Sequence, residues 1–427
     1  MASMSVPEDQ TVKGDSSWRR WVEPWYLGYA LLGASAAGLA PILLPLMVSK
    51  TGNAAQVGLV MAAFSLGGLA APLWGVLADR YRLHRPLMAS GLLAVAAGAA
   101  VFPFAGSLAA WMGLAFVQSL GAAAAATVAN LFVVEAHPRL EWDARIGWLQ
   151  TFYGGGQVAG LVVAGLLAAV SLHLGLWVTA GLAALAVLPG WLTARTPPAP
   201  GGARPVLRHP LRHGEWPAAS PQRLYHHLTA PALRGLGRSL ASPFGIFLAA
   251  WLLSFSGAAV IFALYPVLMQ QAFGVAPVLS SQGFALAAGL GLFLYSPAGT
   301  WSGRSGPASV LRAGLGLRLA AGLGLVLLEL THFGPGWLAL AGFLVIVLAW
   351  SLLSVSSTAW AAQLSPVGEG EGLGIFNAVT ALASVIGAAF GGWVASSWGY
   401  TSALSLAAGG VASGLAITFA LRQTRTR

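Results

Sequence analysis

The sequence predicts an all-α polytopic membrane protein, with twelve transmembrane helices in two pseudo-symmetric six-helix halves. Hydrophobic residues make up 57% of the 427 residues and charged residues only 8%, and the mean hydropathy of +0.75 exceeds what a soluble chain carries. Apolar runs recur that reach the roughly 20 residues needed to cross about 30 Å of hydrocarbon. Charges collect between these runs, as in "GVLADRYRLHRP" at 75–86, because a charge at the bilayer centre costs at least about 2.5 kcal/mol.

The spans begin near Pro24, Ala54, Pro86, Leu108, Ile146, Leu172, Phe244, Leu279, Ala313, Gly336, Leu373 and Thr401. The first is too long for a signal-peptide core, and a second span follows it where a cleavage site would lie, so it stays as the first helix. The domain reading is a 1–23 N-terminal segment, a 24–194 six-helix bundle, a 195–241 linker, a 242–421 six-helix bundle and a 422–427 tail. The linker ("RTPPAPGGARPVLRHPLRHGEWP") has no sustained apolar period and reads as mobile chain.

The net charge of +10 is topological. If the helices alternate, Lys13, Arg19, Arg20, Arg80, Arg82, Arg85, Arg139, Arg145, the linker arginines, Arg304, Arg312 and Arg422 fall on one side, with Lys50 alone on the other. That places both termini and the linker in the cytoplasm, in an integral protein of the bacterial inner membrane, and argues against nucleic acid as a partner. Arg318 is the one cation within a helix, and it is expected to snorkel toward the cytoplasmic interface.

The chain has no cysteine, so disulfides and thiolate chemistry are excluded. His209, His213, His226 and His227 of the linker lack an accompanying carboxylate at ligand spacing and read as a solvated basic loop. No metal or cofactor is expected.

The halves repeat. "GVLADR" from Gly75 matches "GTWSGR" from Gly299 at an offset of 224, which sets Arg80 on Arg304. At an offset of 227, Gly147 falls on Gly374, Gln150 on Asn377, Gly160 on Gly387 and Gly165 on Gly392. Two six-helix halves, a long link and Gly-x-Leu-Ala-Asp-Arg after the second helix resemble the major facilitator superfamily over about residues 24–421. The loop departs from the family pattern at Arg82 and Leu83, and its second copy has Gly303 where the carboxylate would stand.

The resemblance implies that Asp79, with Gly75, Arg80, Arg85, Gly299 and Arg304 around it, forms a latch that steadies the outward-facing state against the eleventh helix. The plainer alternative is a topogenic loop whose surface ion pairs are worth under about 1 kcal/mol.

The transported molecule is expected near the midplane at the repeat interface. Gln150, Tyr153 and Gln157 share one helix face, and their repeat partners are Asn377, Thr380 and Ser384. Gln118, Tyr265, Gln270, Ser351 and Ser354 are further cavity candidates. The alternative is that these groups bond neighbouring helices, at about 0.6 kcal/mol each.

No carboxylate or histidine lies near a midplane, so transport is either facilitative or coupled to a proton through a rim group, Glu135 first and Asp79 second. Glu135 has an alternative as a solvated partner of Arg139 or Arg145. In the fourth helix Gln118 replaces the arginine of the family's Arg-x-x-x-Gly pattern, and "GGGQVAG" from Gly154 resembles the antiporter glycine-proline motif with Gln157 at the proline. These features imply a monomeric secondary transporter for a small neutral or amphipathic solute, in contact with membrane lipid, with efflux slightly favoured over uptake. A receptor or scaffold of the same fold is the alternative. A polytopic enzyme is disfavoured, because no HExxH, GxSxG or paired catalytic carboxylates occur.

Overall fold

The computed structural model describes residues 21–81, 83–138, 141–193, 242–332, 334–366 and 369–421. The 195–241 linker and the 422–427 tail lie outside them, as do all but three residues of the 1–23 segment.

Ten helices follow one another: α1 Tyr26–Ser49, α2 from Ala54 to Tyr81, α3 His84–Phe104, α4 Leu108–Ala136, α5 Trp142–Val170, α6 Leu172–Leu192, α7 Pro243–Gln271, α8 Pro277–Ser305, α9 Pro307–Thr331 and α10 Gly336–Leu364. Their starts are written in the sequence. The side chains of Asn53, Ser107, Ser171 and Ser242 each accept an N–H of the first turn of the helix they precede. Proline opens α7, α8 and α9, where its missing N–H costs nothing. The ninth helix starts six residues before the expected Ala313, because Arg312 extends from its second turn to cap another helix.

The last helical stretch, Glu369–Ala420, runs 52 residues and is broken at Gly399, whose φ of 82° and ψ of 172° are open only to glycine. The break divides it into α11 (369–398) and α12 (400–420), which completes twelve helices among the described residues.

Consecutive helices alternate between two faces. One, the terminal face, carries the two ends of the described chain and the start and end of the 194–241 gap; the other is the far face. The apolar core is divided in the same way. A single cluster at the far face joins both halves, from Leu39–Val48 and Val57–Met61 of the first half to Val260–Met269 and Ala388–Ala395 of the second. Toward the terminal face there are two separate clusters. One, around Trp25, Tyr26, Met88 and Phe132, is built from α1–α6, and the other, around Phe247, Trp251, Leu311 and Trp360, from α7 and α9–α12.

The far-face seam is closed by small residues. A Cβ placed on Gly58 of α2 would overlap the Ala388 carbonyl and come within 2.7 Å of Gly392 Cα in α11. One on Gly165 of α5 would meet Ser281 Cβ of α8 at 2.9 Å, and the Ser281 hydroxyl donates to the Leu161 carbonyl across the same seam. The halves therefore meet at the far face and part toward the terminal face, leaving a cleft between them.

Candidate functional site

The cleft walls repeat in detail. Gly160 of α5 packs against the Ala34 carbonyl of α1, and Gly387 of α11 packs in the same way against the Ser256 carbonyl of α7. Ala34 and Ser256 differ by 222, which sets Tyr29 on Trp251. Tyr29 lies 5.0 Å from the Tyr153 ring, and Trp251 donates its indole N–H to the Thr380 hydroxyl at 2.8 Å. Tyr153 and Thr380 are the pair related by the 227 offset. In α1 this close approach accompanies a π-helical stretch, Gly33–Leu39, with Gly33 set against the Tyr153 carbonyl.

Gln150, one turn before Tyr153 on α5, is exposed. Asn377, one turn from Thr380, is exposed in the same sense. Tyr153, Gln157, Thr380 and Ser384 are half-buried; the Thr380 hydroxyl also donates to the Phe376 carbonyl (2.8 Å), and that of Ser384 to the Thr380 carbonyl (3.1 Å).

The other candidates divide. Ser354 of α10 is half-buried. Ser351 is buried and donates to the Gly291 carbonyl at 2.9 Å, tying α10 to α8. Gln118 is 1% exposed, packed against Gly98 of α3, and its amide atoms have no partner among the described residues. Tyr265 and Gln270 are not brought to the cleft. Tyr265 is stacked on Phe343 at 3.7 Å with its hydroxyl donating to the Ser280 carbonyl at 2.6 Å, inside the far-face core, and Gln270 is exposed at the far end of α7.

The sequence reading did not single out the aromatic residues gathered in the second half: the buried Trp251 and the half-buried Phe255, Trp350 and Tyr295. Trp350 lies 6.4 Å from Trp251 and 5.5 Å from Phe255. A signal existed for one of them, since the 222 offset pairs Trp251 with Tyr29.

At the terminal face, Gly75 and Gly299 sit in α2 and α8, Arg85 is half-buried in the first turn of α3, and Arg304 is exposed at the end of α8. The backbone of Asp79 and Arg80 continues α2, and their side chains lie outside the described part of the structure.

The structure gives Glu135 a different partner from the arginines. His84 Nε2, in a side chain that is almost wholly buried, lies 3.2 Å from Glu135 Oε1. Arg145 instead engages Glu23 (3.2 Å) and Glu141 (2.9 Å), and Arg139 lies outside the described residues. Glu23 also takes His137 at 2.8 Å and the Trp25 indole N–H at 2.9 Å, so one carboxylate binds together the segment before α1, the end of α4 and the start of α5.

Two arginines of α9 behave unlike loop cations. Arg312 donates to the Thr418 carbonyl at 2.6 Å and the Leu421 carbonyl at 3.0 Å, closing the end of α12. Arg318 does not snorkel: it is 2% exposed, with its guanidinium 5.9 Å from the Trp350 ring. Trp350 of α10 is its neighbour within the second half.

The model of the Major Facilitator Superfamily matches residues 25–370. No curated protein matches the chain. Among solved structures, the nucleoside transporter NupG superposes with a TM-score of 0.70 at 14% identity, covering 93% of this chain and 97% of that one. The xylose transporter XylE from E. coli, in a partially occluded inward open conformation, gives 0.65 at 16% identity, covering 95% and 98%. The human organic anion transporter MFSD10 gives 0.59 at 20% identity, covering 94% and 99%.

Proposed function

The chain belongs to the Major Facilitator Superfamily, and from that membership we propose that it is a secondary transporter moving a small neutral or amphipathic solute across the bacterial inner membrane by alternating access. The observation that carries this reading is the division of the core, one shared cluster at the far face and two separate ones toward the terminal face. A shared seam on one side and a cleft on the other is half of an alternating-access cycle. The arginine asymmetry favours a cytoplasmic terminal face, in which case the cleft opens inward.

Amides, hydroxyls and aromatic rings at the cleft suit a solute with an apolar body and few polar groups. The glycine run at Gly154–Gly156, followed by Gln157, favours export slightly. Coupling, where present, runs through the rim pair His84–Glu135. The test is flux of candidate solutes into liposomes holding purified protein, with and without a pH gradient. Solute-specific flux supports a carrier. Specific binding with no flux of the bound solute supports a receptor of the same fold.

A further inference from the structure

Arg318 lies near the middle of the 25-residue α9, 2% exposed, with Nε and Nη2 lacking any hydrogen-bond partner among the described residues. An arginine holds its proton even when buried, so this is a charge in need of a counter-ion. None of the described residues supplies one at that depth. After residue 241 the only carboxylates are Glu329, Glu369 and Glu371. Glu329 lies three turns further along α9, about 16 Å away at 1.5 Å per residue, and the other two belong to the terminal-face start of α11. In the first half's described helices and their flanks, Glu23, Asp79, Glu135, Glu141 and Asp143 all lie at the terminal face. A lipid head group is half a bilayer away, about 15 Å.

What Arg318 does have is Trp350, a half-buried ring 5.9 Å from the guanidinium carbon that also neighbours Phe255 at 5.5 Å and the buried Trp251 at 6.4 Å. Tyr295 of α8 is half-buried as well, one turn from Gly291, whose carbonyl accepts the Ser351 hydroxyl of α10. The charge thus stands beside the half-buried aromatic face of α10, in surroundings of low dielectric that do little to screen it.

We propose that Arg318 sets the charge preference of the cleft, and that the solute it takes is an amphipathic molecule with an aromatic or apolar body and a single anionic group, seated over Trp350. This rests on the transporter reading and narrows it to one solute class. A cleft walled by low-dielectric groups around one sign of charge concentrates the opposite sign by about 10 to 1,000-fold.

A chain without cysteine allows a direct test in liposomes of zwitterionic lipid. With Ser354→Cys, the modification rate by sulfonatoethyl methanethiosulfonate, divided by that for the trimethylammonioethyl reagent, reads the local preference for an anion. The ratio should fall at least tenfold in Arg318→Gln and be retained in Arg318→Lys, while the neutral methyl reagent keeps its rate. Within the unaltered Arg318 background, the ratio at Ser354→Cys should exceed that at Gln150→Cys at least tenfold, which needs no substitution of the buried arginine. Phenylbutyrate should protect the Ser354→Cys thiol at concentrations at least tenfold below those of its amide. Equal ratios at the two positions, a ratio unmoved in a folded Arg318→Gln protein, or equal protection by acid and amide would each overturn the assignment. If instead the thiol reacts from both faces of the membrane at once, alternating access fails while the charge ratio remains readable.

Discussion

Trp251 donates its indole N–H to the Thr380 hydroxyl at 2.8 Å, joining α7 to α11 within the second half. Tyr29 and Tyr153 occupy the equivalent positions in the first half, 5.0 Å apart. A neutral hydrogen bond of this kind contributes about 1 kcal/mol. Trp251→Phe and Thr380→Val should therefore each lower thermal stability, and the double variant should lose little beyond the larger single effect. Melting of the four proteins in detergent gives the cycle; additive losses would mean that the two residues act independently.

Gly58 and Gly392 close the far-face seam backbone to backbone. Gly58→Ala should wedge that seam open, and overpacking of about 1 to 3 kcal/mol would move the population some fivefold to hundredfold toward a terminal-face-closed state. The readout is the labelling rate of Asn377→Cys from the terminal face, which should drop. Unchanged labelling would show that the seam yields locally without driving the conformational change.

Glu135 lies 3.2 Å from the buried His84. In Glu135→Gln, accumulation driven by a proton gradient should vanish while downhill exchange survives. Undiminished uphill transport in a Glu135→Gln, Asp79→Asn double variant would place any proton relay elsewhere.

Asp79→Asn should shift the protein inward and slow net transport, with solute affinity changed less. A latch worth about 1 to 2 kcal/mol corresponds to roughly a five- to thirtyfold population change. If cleft cysteines on both faces keep their wild-type reactivity, Asp79 is a loop residue and no latch.

Single cysteines at Ser107 and Ser220 should react with impermeant reagents from opposite sides of the membrane, Ser220 from the cytoplasm. Labelling of both from outside would refute the orientation.

Helix positions were legible because lipid demands long apolar runs and because serine, asparagine and proline mark the starts. The boundary of α9 was misplaced, since an arginine reads as a loop residue unless its acceptors, here the Thr418 and Leu421 carbonyls, are known. Gln150 and Asn377 stand out in the sequence because polar residues are rare in apolar helices, and both are exposed. Trp251 and Trp350 do not stand out, because an aromatic in a membrane helix looks alike whether it faces lipid, core or cleft. The same reason hid the fate of Arg318: snorkelling follows from composition alone, whereas burial depends on α10 packing against it. The place of Tyr265 in the far-face core follows from its partners Ser280 and Phe343, one of which is far away in sequence.

Gly399 has a consequence for biosynthesis. With no loop between them, α11 and α12 must enter the bilayer together as a helical hairpin whose tip is one residue. Any side chain there disfavours the φ of 82°, and a straightened 52-residue helix would be about 78 Å long, more than twice the hydrocarbon thickness. The second half of that rod would remain outside the membrane on the far face, and α7 and α9 would lose their neighbour. The orientation in which the final helix is inserted thus depends on a single backbone rotation.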